Sequence, residues 1–166
     1  MPTFQRTTWI DAPLDTVWQF HERPDVLQLL TPPWQPIEVL RRDRGLDVGS
    51  RSEFRLWIGP VPLRWCALHT VCEITPTQRH FIDTQTEGPF LHWTHRHQFD
   101  AHRDRQTRLT DTIDWELPGG PVPNALGSGW ITAELDRLFA HRHQTTQRHC
   151  TQPQPPRSPD PIRADI

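Results

Sequence analysis

The chain has no lysine and no tyrosine. Schiff-base chemistry and phenolic proton donation are therefore excluded, and any acid or base here has to be histidine, aspartate, glutamate or cysteine. Cysteine is scarce: Cys66, Cys72 and Cys150 form no CxxC pair, and an odd number without a secretory leader argues for reduced thiols rather than a disulfide framework. Long apolar runs are missing too; stretches such as Val26 to Leu30 are far too short to span a bilayer. Neither charge sign dominates. The formal net charge is −2 and the basic residues are scattered, so nucleic acid is not an expected partner. Together these absences point to a soluble, cytoplasmic protein without a membrane span.

What is present is tryptophan. Eight tryptophans against seven phenylalanines supply large flat surfaces, each indole with one N–H donor, suited to lining a wide pocket. At 166 residues the chain is long enough for one domain with a real core.

The segment FQRTTWI alternates as a strand does, and DAPLDTVWQFHER follows as a helix, with Asp11 placed to cap it and Pro13 in its first turn. Leu14, Val17, Trp18 and His21 share one face of that helix. RPDVLQLLTPPW restarts as a second short helix and stops at the double proline. From Pro36 to about Leu117 there is no helical period. Six alternating runs, PIEVLRR, SRSEFRLWI, PLRWCALHTVCEI, RHFIDTQT, FLHWTHRHQF and TRLTDTIDWEL, are separated by connections short enough for hairpins. From about Ala125 to His149 the pattern turns helical, with Ile131, Leu135, Leu138, Phe139 and Arg142 at 3.6 spacing, although Gly127 and Gly129 weaken the first turns. The proline-rich end, residues 150–166, buries too little apolar surface to fold and reads as a disordered tail after a domain spanning 1–149. The expected fold is α+β: a seven-stranded curved antiparallel sheet around a long C-terminal helix, with two short helices after the first strand and a space between sheet and helix.

That order, together with APLDTVWQFHERPDVLQLLTPP, GPF followed by WTHRH, LTDTIDWELPGG and LFAHR, resembles the START-like or SRPBCC superfamily. This is the helix-grip fold of polyketide cyclases, lipid-transfer domains and pollen allergens. The resemblance covers about residues 3 to 145. It implies a hydrophobic cavity under the long helix that takes a lipid, polyketide or other apolar small molecule. It also implies a possible epimerase-like partner, because some relatives join this domain to one. No glycine-rich dinucleotide fingerprint occurs here, so such a partner would be a separate chain. The resemblance carries over no catalytic residue and no cofactor.

Strand parity selects the polar groups that meet a ligand. In FLHWTHRHQF, Leu91, Trp93, His95, His97 and Phe99 share the apolar face and His92 the other; on the next strand Leu109, Asp111, Ile113 and Trp115 share a face. Asp111 is then a carboxylate among hydrophobic neighbours, within cross-strand reach of a histidine. Phe81, Asp83 and Gln85 add a second carboxylate, and His69 lies on a face with Leu63, Trp65 and Ala67. Three readings are open: a satisfied polar network, a histidine general base held by Asp111, or a facial triad of His95, His97 and a carboxylate around a metal. Two histidines two apart supply only a pair of ligands, so no metal is expected. The expected ligand-binding set is Trp65, His69, Trp93, His95, His97, Phe99, Asp111, Trp115, Leu135 and Phe139, with His95, His97 and Asp111 as the catalytic candidates. His141 and His143 lie about 200° apart on a helix and are expected at the surface. Ser128, between glycines, lacks the strand-turn-helix setting of a nucleophile elbow. By parity, the loops 59–62, 87–90 and 118–124 gather at one end as the cavity mouth, with Trp34 near it.

Overall fold

Short separators, most of them carrying Gly or Pro, turn each strand back on the one before it, and the result is an antiparallel meander. The structure, a computed structural model, describes residues 1–43, 45–103 and 105–151. After β1 (Thr3–Ile10) come α1 (Leu14–His21) and α2 (Val26–Leu29), then β2 (Ile37–Arg42), β3 (Arg51–Ile58), β4 (Val61–Ile74), β5 (Gln78–Glu87), β6 (His92–His102) and β7 (Gln106–Glu116), and finally α3 (Pro121–Thr151). The seven strands order as β1-β7-β6-β5-β4-β3-β2. Every neighbouring pair is antiparallel, so β1 joins the far end of the meander beside β7. This is the helix-grip arrangement the resemblance implied.

Four local expectations are corrected. Asp11 does not cap α1; Pro13 stands at the N-cap, and the Asp11 carboxylate instead accepts from Gln106 and Gln147. Residues 121–124, read as loop, open α3. Gly119 and Gly120, at φ +96° and +84°, make the left-handed turn into it. Pro121 and Pro123 then fall in a first turn, whose N–H groups have no helical acceptor anyway. Leu91, expected to face inward, precedes β6 and is 66% exposed. At the other end α3 runs through Thr151 with Cys150 buried, two residues into the stretch read as tail; residues 152–166 lie outside the described residues.

Parity on the long strands creates two apolar clusters. One, under α3, contains Trp93, Ile113, Trp115, Leu135 and Phe139. The other, under α1, contains Trp18, Phe81, Phe99 and Leu109. Along β6 the inward order is Trp93, His95, His97, Phe99, and along β7 it is Trp115, Ile113, Asp111, Leu109, with His97 directly opposite Asp111. A polar belt therefore crosses the sheet between two hydrophobic halves.

Candidate functional site

Cross-strand register assembles the belt. His69 on β4 is opposite Asp83 on β5, and Asp83 is opposite His95 on β6. In the neighbouring row Phe81, His97 and Asp111 stand side by side. Asp111, 3% exposed, is the hub. Its Oδ1 accepts from His95 Nε2 and His97 Nδ1, both at 2.8 Å, and its Oδ2 accepts from His143 Nε2 at 2.6 Å. On the other side of the rings, His97 Nε2 is 3.1 Å from Asp83 Oδ2, and His95 Nδ1 is 3.6 Å from the same oxygen. The two imidazoles lie 3.6 Å apart between centroids, with Phe81 stacked on His97 at 4.1 Å.

These environments drive the two histidines in opposite directions. Burial works against a charge on His97, but Asp111 and Asp83 at its two nitrogens outweigh it and raise its pKa to about 9. Burial, with the positive His97 beside it, lowers the pKa of His95. Burial alone would raise both carboxylates; the imidazoles overcome it and hold Asp83 below the usual range and Asp111 well below it. His97 is then an imidazolium donating from both nitrogens. His95 is neutral, its Nε2–H spent on Asp111 and its Nδ1 lone pair left on the Asp83 side. On α1, the buried His21 donates from Nδ1 to the Val17 carbonyl at 2.8 Å, and burial lowers its pKa to about 4.

His143 is where the sequence reading fails. Expected at the surface, it is 2% exposed, and its Nδ1 lies 2.7 Å from the Thr8 hydroxyl on β1. The signal was present: Ile131, Leu135, Phe139, His143, Thr146 and Cys150 form the buried stripe of α3 at steps of three and four. His141, on the other side, packs against Trp34.

Between the sheet, α2 and α3 lies a cavity of about 260 Å³. Seven of the ten expected ligand-binding residues line it: Trp65, His69, Trp93, His95, His97, Leu135 and Phe139. The other three do not. Asp111 sits behind the two histidines, Phe99 packs under Trp18, and Trp115 is fully buried next to Phe90. Asp83 lines the cavity, as do Arg142, from the inner stripe of α3, and Arg42, which the sequence did not single out. Of the loops expected at the mouth, only 87–90 contributes, through Pro89 and Phe90. Trp34, expected near the mouth, does not line the cavity; residues of α2 and Pro32 do. Ser128 Oγ donates to the Ala125 carbonyl, with no base beside it among the described residues.

Asp83, His95 and His97 offer three ligand atoms within 4.8 Å of one another, the donor set of a two-histidine, one-carboxylate site. Asp111 backs both histidines as a second-layer carboxylate does. A cation there would have to displace the His97 Nε2 proton that now bridges to Asp83.

A family model described as polyketide cyclase/dehydrase and lipid transport matches residues 10–139. Among solved structures, Zhui aromatase/cyclase from Streptomyces sp. R1128 superposes with a TM-score of 0.67 at 14% identity, over 90% of this chain and 93% of that one. Norcoclaurine synthase from Thalictrum flavum, in complex with dopamine and hydroxybenzaldehyde, gives 0.64 at 13% identity, over 89% and 84%. Protein Ms6760 from Mycobacterium smegmatis gives 0.61 at 21% identity, over 88% of each. At these identities the likeness is one of fold. No curated protein sequence matches the chain.

Proposed function

The chain belongs to the polyketide cyclase/dehydrase and lipid transport family, and from that membership we propose that it binds a small apolar molecule in the cavity beneath α3. The observation that carries this reading is the cavity of about 260 Å³, with aromatic walls and a floor of His69, Asp83, His95 and His97. An apolar cavity of about 150 Å³ holds a benzene, so this one accommodates a body of about two fused rings. Apolar walls supply affinity, and the few polar groups orient the ligand. The expected ligand set is thereby narrowed: Phe99, Asp111 and Trp115 support the wall from behind.

A second reading, acid-base catalysis, is favoured by one specific observation. Adjacent histidines with opposed protonation supply a base and an acid in one place. In a dehydration, His95 Nδ1 takes a proton from carbon, the double bond forms, and His97 delivers its Nε2 proton to the departing hydroxyl as water. Asp111 holds both rings and acts as a positioning residue. Nothing among the described residues speaks for the epimerase-like partner, which stays outside the proposal.

The test of binding is the neutral fluorophore N-phenyl-1-naphthylamine. Its emission rises when it enters the wild-type cavity, and Ala67→Phe, which fills the cavity from the β4 wall, abolishes the rise. Equal emission with both proteins, once the variant is shown to be folded, refutes the reading. The catalytic reading is separated from it by His95→Gln, which stops turnover of a β-hydroxy ketone while leaving fluorophore binding within about threefold.

A further inference from the structure

Asp111 already accepts from three imidazoles and Asp83 from His97, and among the described residues neither carboxylate forms an ion pair with an arginine. Two further cations at the same cavity are without a paired carboxylate: Asp111 and Asp83 act on Arg142, and Asp25 on Arg42, only from beyond ion-pair distance. Arg42, the last residue of β2, and Arg142, one step before His143 on α3, both line the cavity, and the Nε of each is buried without a hydrogen-bond partner. Arg6 and Arg79 share that unpartnered Nε, so what sets Arg42 and Arg142 apart is the lack of a carboxylate. Arg6, Arg23, Arg41, Arg55, Arg64, Arg79 and Arg108 each pair with a carboxylate. Arg51, Arg96, Arg103, Arg105, Arg137 and Arg148 have no carboxylate partner but are exposed to water. Among the described residues, only Arg42 and Arg142 are half-buried and without a carboxylate partner.

Withholding a cation from water without a partner is costly. The Phe139 ring, 5.1 Å from the Arg142 guanidinium carbon, offsets part of that cost for one of the two. Within the cavity and its floor, Arg42, Arg142 and His97 carry positive charge against Asp83 and Asp111, three against two. Glu134 also borders the cavity, but its side chain is exposed on α3.

Building on the cavity-binding reading, we infer that the ligand is an amphipathic acid: an apolar body against the tryptophans, with a carboxylate received by Arg142 and a second cation supplied by Arg42. A guanidinium presents a planar fork that matches a carboxylate, and the bond is at its strongest where water is excluded. The histidine floor meets the rest of the molecule, so one cavity separates anchoring from proton transfer.

The test is isothermal titration of the full chain with 2-naphthoic acid and its neutral isostere 2-naphthamide near pH 7. The acid binds at least about tenfold more tightly, the size of one charge-assisted hydrogen bond. Arg142→Gln weakens the acid about tenfold and changes the amide by less than about threefold, and Arg42→Gln acts in the same direction. Equal wild-type affinities for acid and amide overturn the inference, as does a parallel loss of both in the folded variants. If a variant does not fold, the wild-type comparison alone decides. Should N-phenyl-1-naphthylamine bind while the acid fails to displace it, the anion site falls and the cavity reading stands; if neither binds, both fall.

Discussion

Replacing Asp111 by asparagine removes the charge that three imidazoles share. In the native protein His97 holds its proton up to about 9, against 6.5 for the free side chain. The folded state thus keeps a proton that the unfolded chain releases at lower pH. The resulting stabilisation is complete below pH 6.5 and is lost as pH rises through about 9. At about 1.4 kcal/mol for each pKa unit, it amounts to about 3 kcal/mol. The carboxylates act in the opposite window. With pKa values below 3.8, Asp83 and Asp111 contribute stability present above that pH and lost on further acidification through their native values. In Asp111→Asn the largest favourable influence on His97 is gone, and a buried pair has lost one partner. The expected cost near neutral pH is about 3 to 5 kcal/mol. The decline of stability from about pH 6.5 to 9 flattens as well, because His97 no longer carries the extra proton. Urea unfolding followed by tryptophan fluorescence at several pH values measures both effects. Parallel stability profiles for wild type and variant would refute the reasoning, whatever the size of the offset between them.

Other consequences are as direct. His143→Gln breaks the bond to Asp111 and the contact with Thr8, and should cost about 1 to 3 kcal/mol in chemical denaturation; a loss under about 0.5 kcal/mol would return His143 to the surface role first expected of it. Gly129→Ala should raise stability by about 0.5 to 1 kcal/mol, since an added Cβ meets nothing within 4 Å and alanine favours a helix interior; a lower melting temperature would mean that the first half of α3 is not helical. Cobalt(II) added near pH 7 should produce no tetrahedral visible spectrum, because the His97 Nε2 proton occupies the position a cation needs; a strong band near 600 nm, lost in His97→Gln, would show that a metal displaces it.

Strand and helix positions were legible because period and punctuation agree along most of the chain. The six runs from PIEVLRR to TRLTDTIDWEL become β2 to β7, and parity alone placed His95, Asp111, Ile113 and Trp115 inward. Parity along a strand says nothing about depth behind a surface, so Asp111 and Trp115 were expected to touch ligand when they stand behind residues that line it. The omission of His143 has a different origin. Histidine is counted polar in a helical pattern, and its burial depends on Asp111, 32 positions earlier, a partner that periodicity within α3 does not see. Arg142 was placed on the inner face by its spacing, but whether a carboxylate pairs with it depends on what other elements bring within reach, which periodicity within α3 does not show.

The adjacency of β1 and β7 has a consequence for how the molecule is made. Thr3 is paired with Asp114 and Ile10 with Thr107, so β1 leaves the ribosome well before the strand it pairs with. The strands between them form successive local hairpins, whose closure costs little, whereas joining β1 closes a loop of about a hundred residues and comes late. Until then the exposed edge of β7 is open to strands of other molecules. Thr8 arrives with β1 and His143 with α3, and both meet at the polar belt through Asp111. The polar belt is thus completed later than the strands that carry the cavity floor, and a chain interrupted before α3 forms has those floor residues but neither His143 nor the α3 wall of the cavity.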